Sequence, residues 1–329
     1  MVSSPARADR VRRFTVYAWS VLGFNLLVIL WGAVVRATGS GAGCGEHWPL
    51  CQGVVIPHAA QIATLIEFAH RATSGVAVAL VLGLVFLAFR AFESGHPARR
   101  YAAAAIFFTL TEGLIGAALV LWGQVGNNAS MTRVLILSLH LVNTLLLLAS
   151  LALCANSADA IAPTERDSYG PLDRISKSRS WYAFGLAGVI AVAVSGTVAA
   201  LGDTLFPATS LAEGLHSDFS GSANALLRLR IIHPVVAAAV GIYLLALILR
   251  ALRLENSAAA RRLARWLFIL VLVQFALGPL NLVLLTPLWA QVLHLFTADL
   301  IWVTLVLLAA EALGYSQRSA AGDLKPAIA

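Results

Sequence analysis

Charge is what this sequence has least of. Asp, Glu, Lys and Arg make up 12% of its 329 residues, where a soluble domain carries about 25%. That shortage excludes a water-soluble enzyme of this size. Cysteine is scarce too: Cys44, Cys51 and Cys154 are the only three, too few for a four-thiolate metal centre. The alternation of barrel strands is missing. No small-residue cleavage site closes a short apolar run behind Arg7, Arg10, Arg12 and Arg13, so the first run is expected to remain as a helix. No Arg- and Ser-rich, acid-poor stretch marks a mitochondrial precursor.

What is present is apolar surface. Hydrophobic residues are 59% of the chain and the mean hydropathy is +0.82. Crossing a bilayer takes about 20 apolar residues. Eight runs qualify, near 15–36, 66–90, 101–122, 132–155, 181–201, 228–250, 263–285 and 288–311. The reading is an all-α integral membrane protein with eight transmembrane helices. The net charge of +7 would point to nucleic acid in a soluble protein, but here its placement decides. Eighteen of the 23 basic residues fall in the N-terminal segment, the even-to-odd loops and the C-terminal tail, among them Arg90, Arg99, Arg100, Arg166, Arg250, Arg261, Arg318 and Lys325. The positive-inside rule then puts both termini in the cytoplasm, and no polyanionic partner is needed. The remaining five, Arg36, Arg71, Arg133, Arg228 and Arg230, sit at the outer membrane edge.

Two long outer loops, 37–65 and 202–227, join the spans. The first carries Gly43-Cys44-Gly45-Glu46-His47-Trp48-Pro49-Leu50-Cys51. On an oxidising face, a disulfide closing a tight loop is one reading of this pair. Two free thiols, or a thiolate pair assisted by His47, are the others. Cys154 reads as an inert small apolar residue.

The chain divides into two similar four-helix halves, 14–158 and 180–312, joined by a polar cytoplasmic linker, 159–179. Four spans return each half to its starting side, which makes the halves two bundles related by a pseudo-twofold axis along the membrane normal. Glu112-Gly-Leu-Ile-Gly116 in span 3 aligns with Gln274-Phe-Ala-Leu-Gly278 in span 7. Histidines carry the pattern further. His47, His58, His96 and His216 lie in loops and are expected to be solvated. His70, His140, His233 and His294 fall one each in spans 2, 4, 6 and 8, each about 6–12 Å along the helix from the outer end at ~1.5 Å per residue. Two imidazoles facing each other in a helical bundle are a means of holding a heme iron. The outer-edge arginines Arg36, Arg71, Arg133, Arg228 and Arg230 are candidates for the heme propionates.

The halves differ in charge beside the histidines. Glu67 precedes His70 by three residues, and Arg230 precedes His233 by three. Spacing i,i+3 shares a helix face. A carboxylate there can take protons or stabilise positive charge near a reacting group, so a catalytic first half and a cofactor-holding second half are expected. An ion pair between Glu67 and Arg71 is the plain alternative. Glu112 and Asp299, deep in spans 3 and 8, read as protonated side chains bonded across helices.

These residues resemble the heme A synthase family. The resemblance rests on Gly32-Ala-Val-Val-Arg36-Ala-Thr-Gly-Ser-Gly41, on Cys44 with Trp48-Pro49-Leu50-Cys51, and on Glu67-Phe-Ala-His70-Arg71. Leu277-Gly278 and Asn281 before His294 add to it. It implies an oxidoreductase converting heme o to heme a, with substrate heme at His70 and His140 and a heme b cofactor at His233 and His294. It further implies Glu67 as the essential carboxylate, a Cys44–Cys51 disulfide, and a place in a bacterial cytoplasmic (inner) membrane. Heme o synthase and oxidase assembly factors are the implied partners, and a homo-oligomer is compatible. The family's frequent Cys-Pro-Asp-Trp reads Cys44-Gly-Glu-His-Trp48 here, and the second loop has no cysteine pair. A diheme b-type cytochrome in a quinol pathway accounts for the four histidines but not for Glu67 or the cysteine loop. A repeat-built transporter would use broken helices, for which Pro234 and Pro279 are the candidates.

Overall fold

The computed structural model describes residues 5–58, 61–158, 172–220, 225–255 and 257–322. The helices are α1 (Pro5–Ala37), α2 (Ile62–Ala91), α3 (Pro97–Leu121), α4 (Met131–Asn156), α5 (Leu172–Leu205), α6 (Leu211–Phe219), α7 (Ala225–Arg230), α8 (Ile232–Leu254), α9 (Ala258–Val283) and α10 (Leu288–Gly322). Among the described residues the non-helical order is a 3-10 turn at Ser40–Ala42 and one isolated bridge between Cys51 and Val54. Eight helical stretches are long and apolar enough to cross a membrane. The protein is an all-α, multi-pass membrane protein.

Local sequence sets the helix ends. Ser130 accepts from Arg133 N and Ser257 from Ala260 N, each occupying a donor that the first turn leaves orphaned. His96 and Pro97 open α3 together, proline at the first position and the imidazole Nδ1 accepting from Ala98 N at 3.2 Å. This corrects the expectation that His96 is solvated: it is 5% exposed and its ring stacks on Phe92 at 4.2 Å. Residues 159–171 of the expected linker, with Arg166, lie outside the described residues, as does Lys325. The rest of that linker is already helix, because Leu172 to Ser180 contains neither Gly nor Pro to stop one. α10 likewise continues past 312 to Gly322.

The sixth span is in two pieces, α7 and α8, interrupted at Ile231. Pro234 has no N–H to return to the carbonyl of Arg230, so the helical ladder fails just before His233. Pro279 lies inside α9 without such an interruption.

Contacts close two rings of four spans. α1 packs on α2 and α4, and α3 on α2 and α4; α5 packs on α8 and α10, and α9 on α8 and α10. α1 and α4 meet α5 and α10 at the seam, where the buried Trp302 indole of α10 donates to the carbonyl of Leu145 in α4 at 2.7 Å. Packing is uneven along the spans. The fully buried Val81, Leu84, Leu148, Leu151, Leu247, Ile248, Leu267, Leu305 and Leu308 belong to the half of the bundle nearer the chain termini, whereas Leu201 and Leu226 form a smaller cluster with Val134 and Val198 at the other end. The four span histidines belong to the opposite half.

Candidate functional site

The first outer loop is tied onto α2. Cys44 and Cys51 form a disulfide and are buried. The N–H of Cys44 donates to Glu67 Oε2 at 2.7 Å. Glu67 Oε1 accepts from Arg71 at 2.5 Å, and Arg71 also donates to the carbonyls of His47 at 2.5 Å and Leu50 at 2.7 Å. Glu67, 4% exposed, therefore links the disulfide loop to the helix that carries His70. The plain reading of a Glu67–Arg71 ion pair holds, and the carboxylate has a second partner that the sequence did not disclose.

Each span histidine meets a glycine of the preceding odd-numbered span. A Cβ added at Gly32 would stand 3.1 Å from Cε1 of His70, and one at Gly196 3.0 Å from Cε1 of His233. At Gly116 and Gly278 the corresponding distances to His140 and His294 are 3.9 Å and 3.7 Å. The absent side chains make four cradles, one per imidazole. The Gly116–Gly278 pair was visible in the sequence alignment of spans 3 and 7. Gly32 and Gly196 escaped it, being 38 and 37 residues from their histidines.

The second-half histidines face one another. Their ring centroids are 6.4 Å apart at an interplanar angle of 83°. A metal–imidazole bond is about 2.0 Å, so two rings joined through one metal have centroids about 6 Å apart. Ser195 sets the tautomer of His233. Its single hydroxyl proton goes to the carbonyl of Val192 at 2.9 Å, so Oγ accepts from His233 Nδ1 at 3.1 Å and Nε2 keeps its lone pair. Nothing in the sequence singled out Ser195.

Three of the span histidines are among the residues with a buried polar atom that has no partner. These atoms include Nδ1 of His70, His140 and His294, with Arg133 Nε, Gln274 Oε1 and Asn281 Oδ1. Glu112 Oε1 stands 3.4 Å from His140 Nδ1, in reach but not aligned as a hydrogen bond. Buried unsatisfied groups are costly, and each calls for an explanation such as a ligand. Among the described residues no three His, Cys, Asp or Glu side chains converge for a bare metal ion. A pair of imidazoles suits an iron whose other ligands come from a porphyrin. The residues present thus fit a heme.

The arginines expected near propionates are mostly engaged. Arg36 crosses from the first half to the second, donating to the Ala200 carbonyl and Thr204 at 2.7 Å and to Gln291 at 2.9 Å. Arg230 binds Asp218 at 2.6 Å and Asp203 at 2.9 Å, so the cation expected beside His233 is matched by two carboxylates. Arg133 donates through Nη1 to the carbonyls of Gly126 and Asn128 and keeps a buried, unpartnered Nε. Arg228 is exposed on α7. The expected asymmetry, carboxylate against cation, is present in residue type, but each charge is locally balanced.

The family model described as cytochrome oxidase assembly protein (COX15-CtaA) matches residues 15–306. The chain belongs to this family. Among curated relatives, the proteins named "Protoheme IX farnesyltransferase" from two strains of Thermus thermophilus are each 46% identical over 301 residues, 92% of this chain and 48% of the relative. The chain spans about half the length of these relatives. A Bacillus mycoides protein named "Heme A synthase" is 39% identical over 115 residues, 35% of this chain and 37% of the relative.

The cradles of this family member make a graded expectation. Gly196→Ala places a methyl group 3.0 Å from the His233 ring, whereas Gly116→Ala meets His140 at ordinary contact distance. Gly196→Ala should lower heme content or shift the Soret band, and Gly116→Ala should leave both near wild type. Equal behaviour of the two in purified protein removes the cradle argument.

Proposed function

We propose that the protein is a heme A synthase, oxidising a methyl group of heme o to a formyl group and so supplying heme a for terminal oxidase assembly. The observation that carries this reading is the buried Glu67 one helical turn from His70, fixed between Arg71 and the Cys44–Cys51 loop. An electron-carrying cytochrome has no use for that carboxylate. In this reading His70 and His140 hold the substrate heme, and Arg133 meets a propionate with its free Nε–H. His233 and His294 hold heme b, which when bound supplies a one-electron carrier. The termini lie in the cytoplasm, and the two rings of spans are related by a pseudo-twofold axis.

The conversion takes a methyl group and one water to a formyl group, releasing four protons and four electrons that an external electron acceptor must take up. Two successive hydroxylations give a geminal diol, which loses water to leave the aldehyde. Glu67 is positioned to accept protons on the outer side or to stabilise an electron-poor carbon. The Thermus relatives carry the name of a reaction that would supply a farnesylated heme, and their unmatched half is where we place that chemistry. A farnesyl-transferring protein is accordingly the expected partner.

A heme profile tests the reading. Membranes containing the chain, supplied with heme o, should yield a formyl heme on extraction. Membranes supplied with protoheme and farnesyl diphosphate should yield no farnesylated product. Heme bands without a formyl product favour the diheme cytochrome, and a farnesylated product favours the transferase.

A further inference from the structure

Glu112 lies within α3, one helical turn before Gly116, the residue that faces His140. Its carboxylate is held on both oxygens. Asn143 Nδ2 donates to Oε2 at 2.6 Å, and Thr144 Oγ1 lies against Oε1, its one proton shared between that oxygen and the His140 carbonyl at 2.9 Å. The Asn143 amide is itself oriented, its Oδ1 accepting from Thr111 Oγ1 at 2.7 Å and its Nδ2 also donating to the Phe108 carbonyl at 2.8 Å. The carboxylate is therefore fixed beside His140, with Oε2 accepting from Asn143 and Oε1 against the Thr144 hydroxyl. Oε1 lies 3.4 Å from Nδ1 of His140, a buried nitrogen with no other partner. Only an N–H at Nδ1 suits that neighbour, which leaves Nε2 as the nitrogen with the lone pair.

The second half has an amide at the matching position, but it meets the other ring nitrogen. Gln274 lies four residues before Gly278, the residue that faces His294, and its Nε2 is 3.2 Å from His294 Nε2. A neutral amide stands where the first half has a carboxylate. A carboxylate accepting from the outer nitrogen of a ligating histidine fixes its tautomer and raises its basicity, which favours the oxidised iron. An amide does so less.

We propose that Glu112 is the positioning residue of His140: it holds the ring through Nδ1, presents Nε2 to the iron, and makes the first-half heme the one of lower reduction potential. This rests on the reading that His70 and His140 hold a heme. The competing role for Glu112 is a tie between α3 and α4 through Asn143 and Thr144, which would affect stability alone.

Redox titration of the purified protein carrying both hemes, with low-spin ferric EPR, separates these roles. Glu112→Gln should raise the midpoint of the His70/His140 heme and shift its EPR signal, leaving the second heme unchanged. Unchanged midpoints at normal heme content, or equal shifts of both hemes, overturn the proposal. Glu112→Asp serves if Glu112→Gln fails to accumulate: it keeps the charge but withdraws the carboxylate from Nδ1. It should raise the midpoint of the His70/His140 heme alone, and no shift counts against the proposal. His140→Ala controls the underlying reading. If it leaves both heme signals intact, His140 is not a ligand, and the functional assignment of the first half fails independently of Glu112.

Discussion

Glu67→Gln is expected to cut formation of the formyl heme by about 10²- to 10⁴-fold, the usual contribution of a positioned acid–base group, at unchanged heme content. The substitution is chosen because Glu67 has two jobs. Its Oε2 anchors the loop through Cys44 N–H, and its Oε1 holds Arg71. Glutamine is isosteric and keeps an oxygen for one of these contacts, so the loop can stay in place while the negative charge disappears. Extracted hemes are quantified by chromatography under a fixed heme o supply. A normal rate of heme a formation in this variant removes the catalytic role. Glu67→Ala, which deletes both contacts, gives the comparison: if it loses heme while the Gln variant is normal in every respect, Glu67 is an anchor and nothing more.

The second large effect is expected at Gly43. A Cβ there would lie 2.5 Å from the carbonyl oxygen of Ala63 and 2.7 Å from the amide nitrogen of Thr64. Both are backbone atoms at the start of α2, so no side chain can rotate to make room. Overpacking costs about 1–3 kcal/mol where neighbours can adjust, and the upper end of that range is expected for Gly43→Ala. The loop must lift from α2, which separates Cys44 N–H from Glu67. Faster reduction of the Cys44–Cys51 disulfide by a small thiol, read by alkylation, is the check. Reduction at the wild-type rate shows that the loop is not held by this contact.

The two sites explain what a sequence can disclose here. His70, His140, His233 and His294 stand out because an imidazole is conspicuous in an apolar run, and the run alone fixes its depth. Glu67 stands out for the same reason. The eight spans follow from hydropathy, with differences where polar sequence is helical, as from Leu172 to Ser180 and in α6, and at Ile231, where the sixth span breaks. Partners across the bundle carry no such local mark. Arg36 meets Ala200 and Thr204 more than 160 residues along the chain, Gly196 looks like any glycine of a membrane helix, and Gly32 is marked as part of a motif but not as the neighbour of His70. Arg230 was read from its own helix as a cation beside His233. Asp203 and Asp218, which neutralise it, come from α5 and α6. His96 was misplaced because a histidine in a short polar loop is ordinarily solvated, and only the tertiary stack on Phe92 buries it.

The uneven packing along the spans bears on the order in which the molecule is made. In a bilayer, helices associate by close packing and not by escape from water. Most of the fully buried leucines, and the isoleucine, lie in the half nearer the termini, with only Leu201 and Leu226 in a smaller cluster at the other end; the half with the larger cluster also holds the Trp302–Leu145 tie at its upper margin. That half contains none of the four span histidines. It can therefore close as a finished clamp during biosynthesis, with no porphyrin present. On the heme reading proposed above, loading then follows assembly of the spans, into one end of a bundle already held at the other.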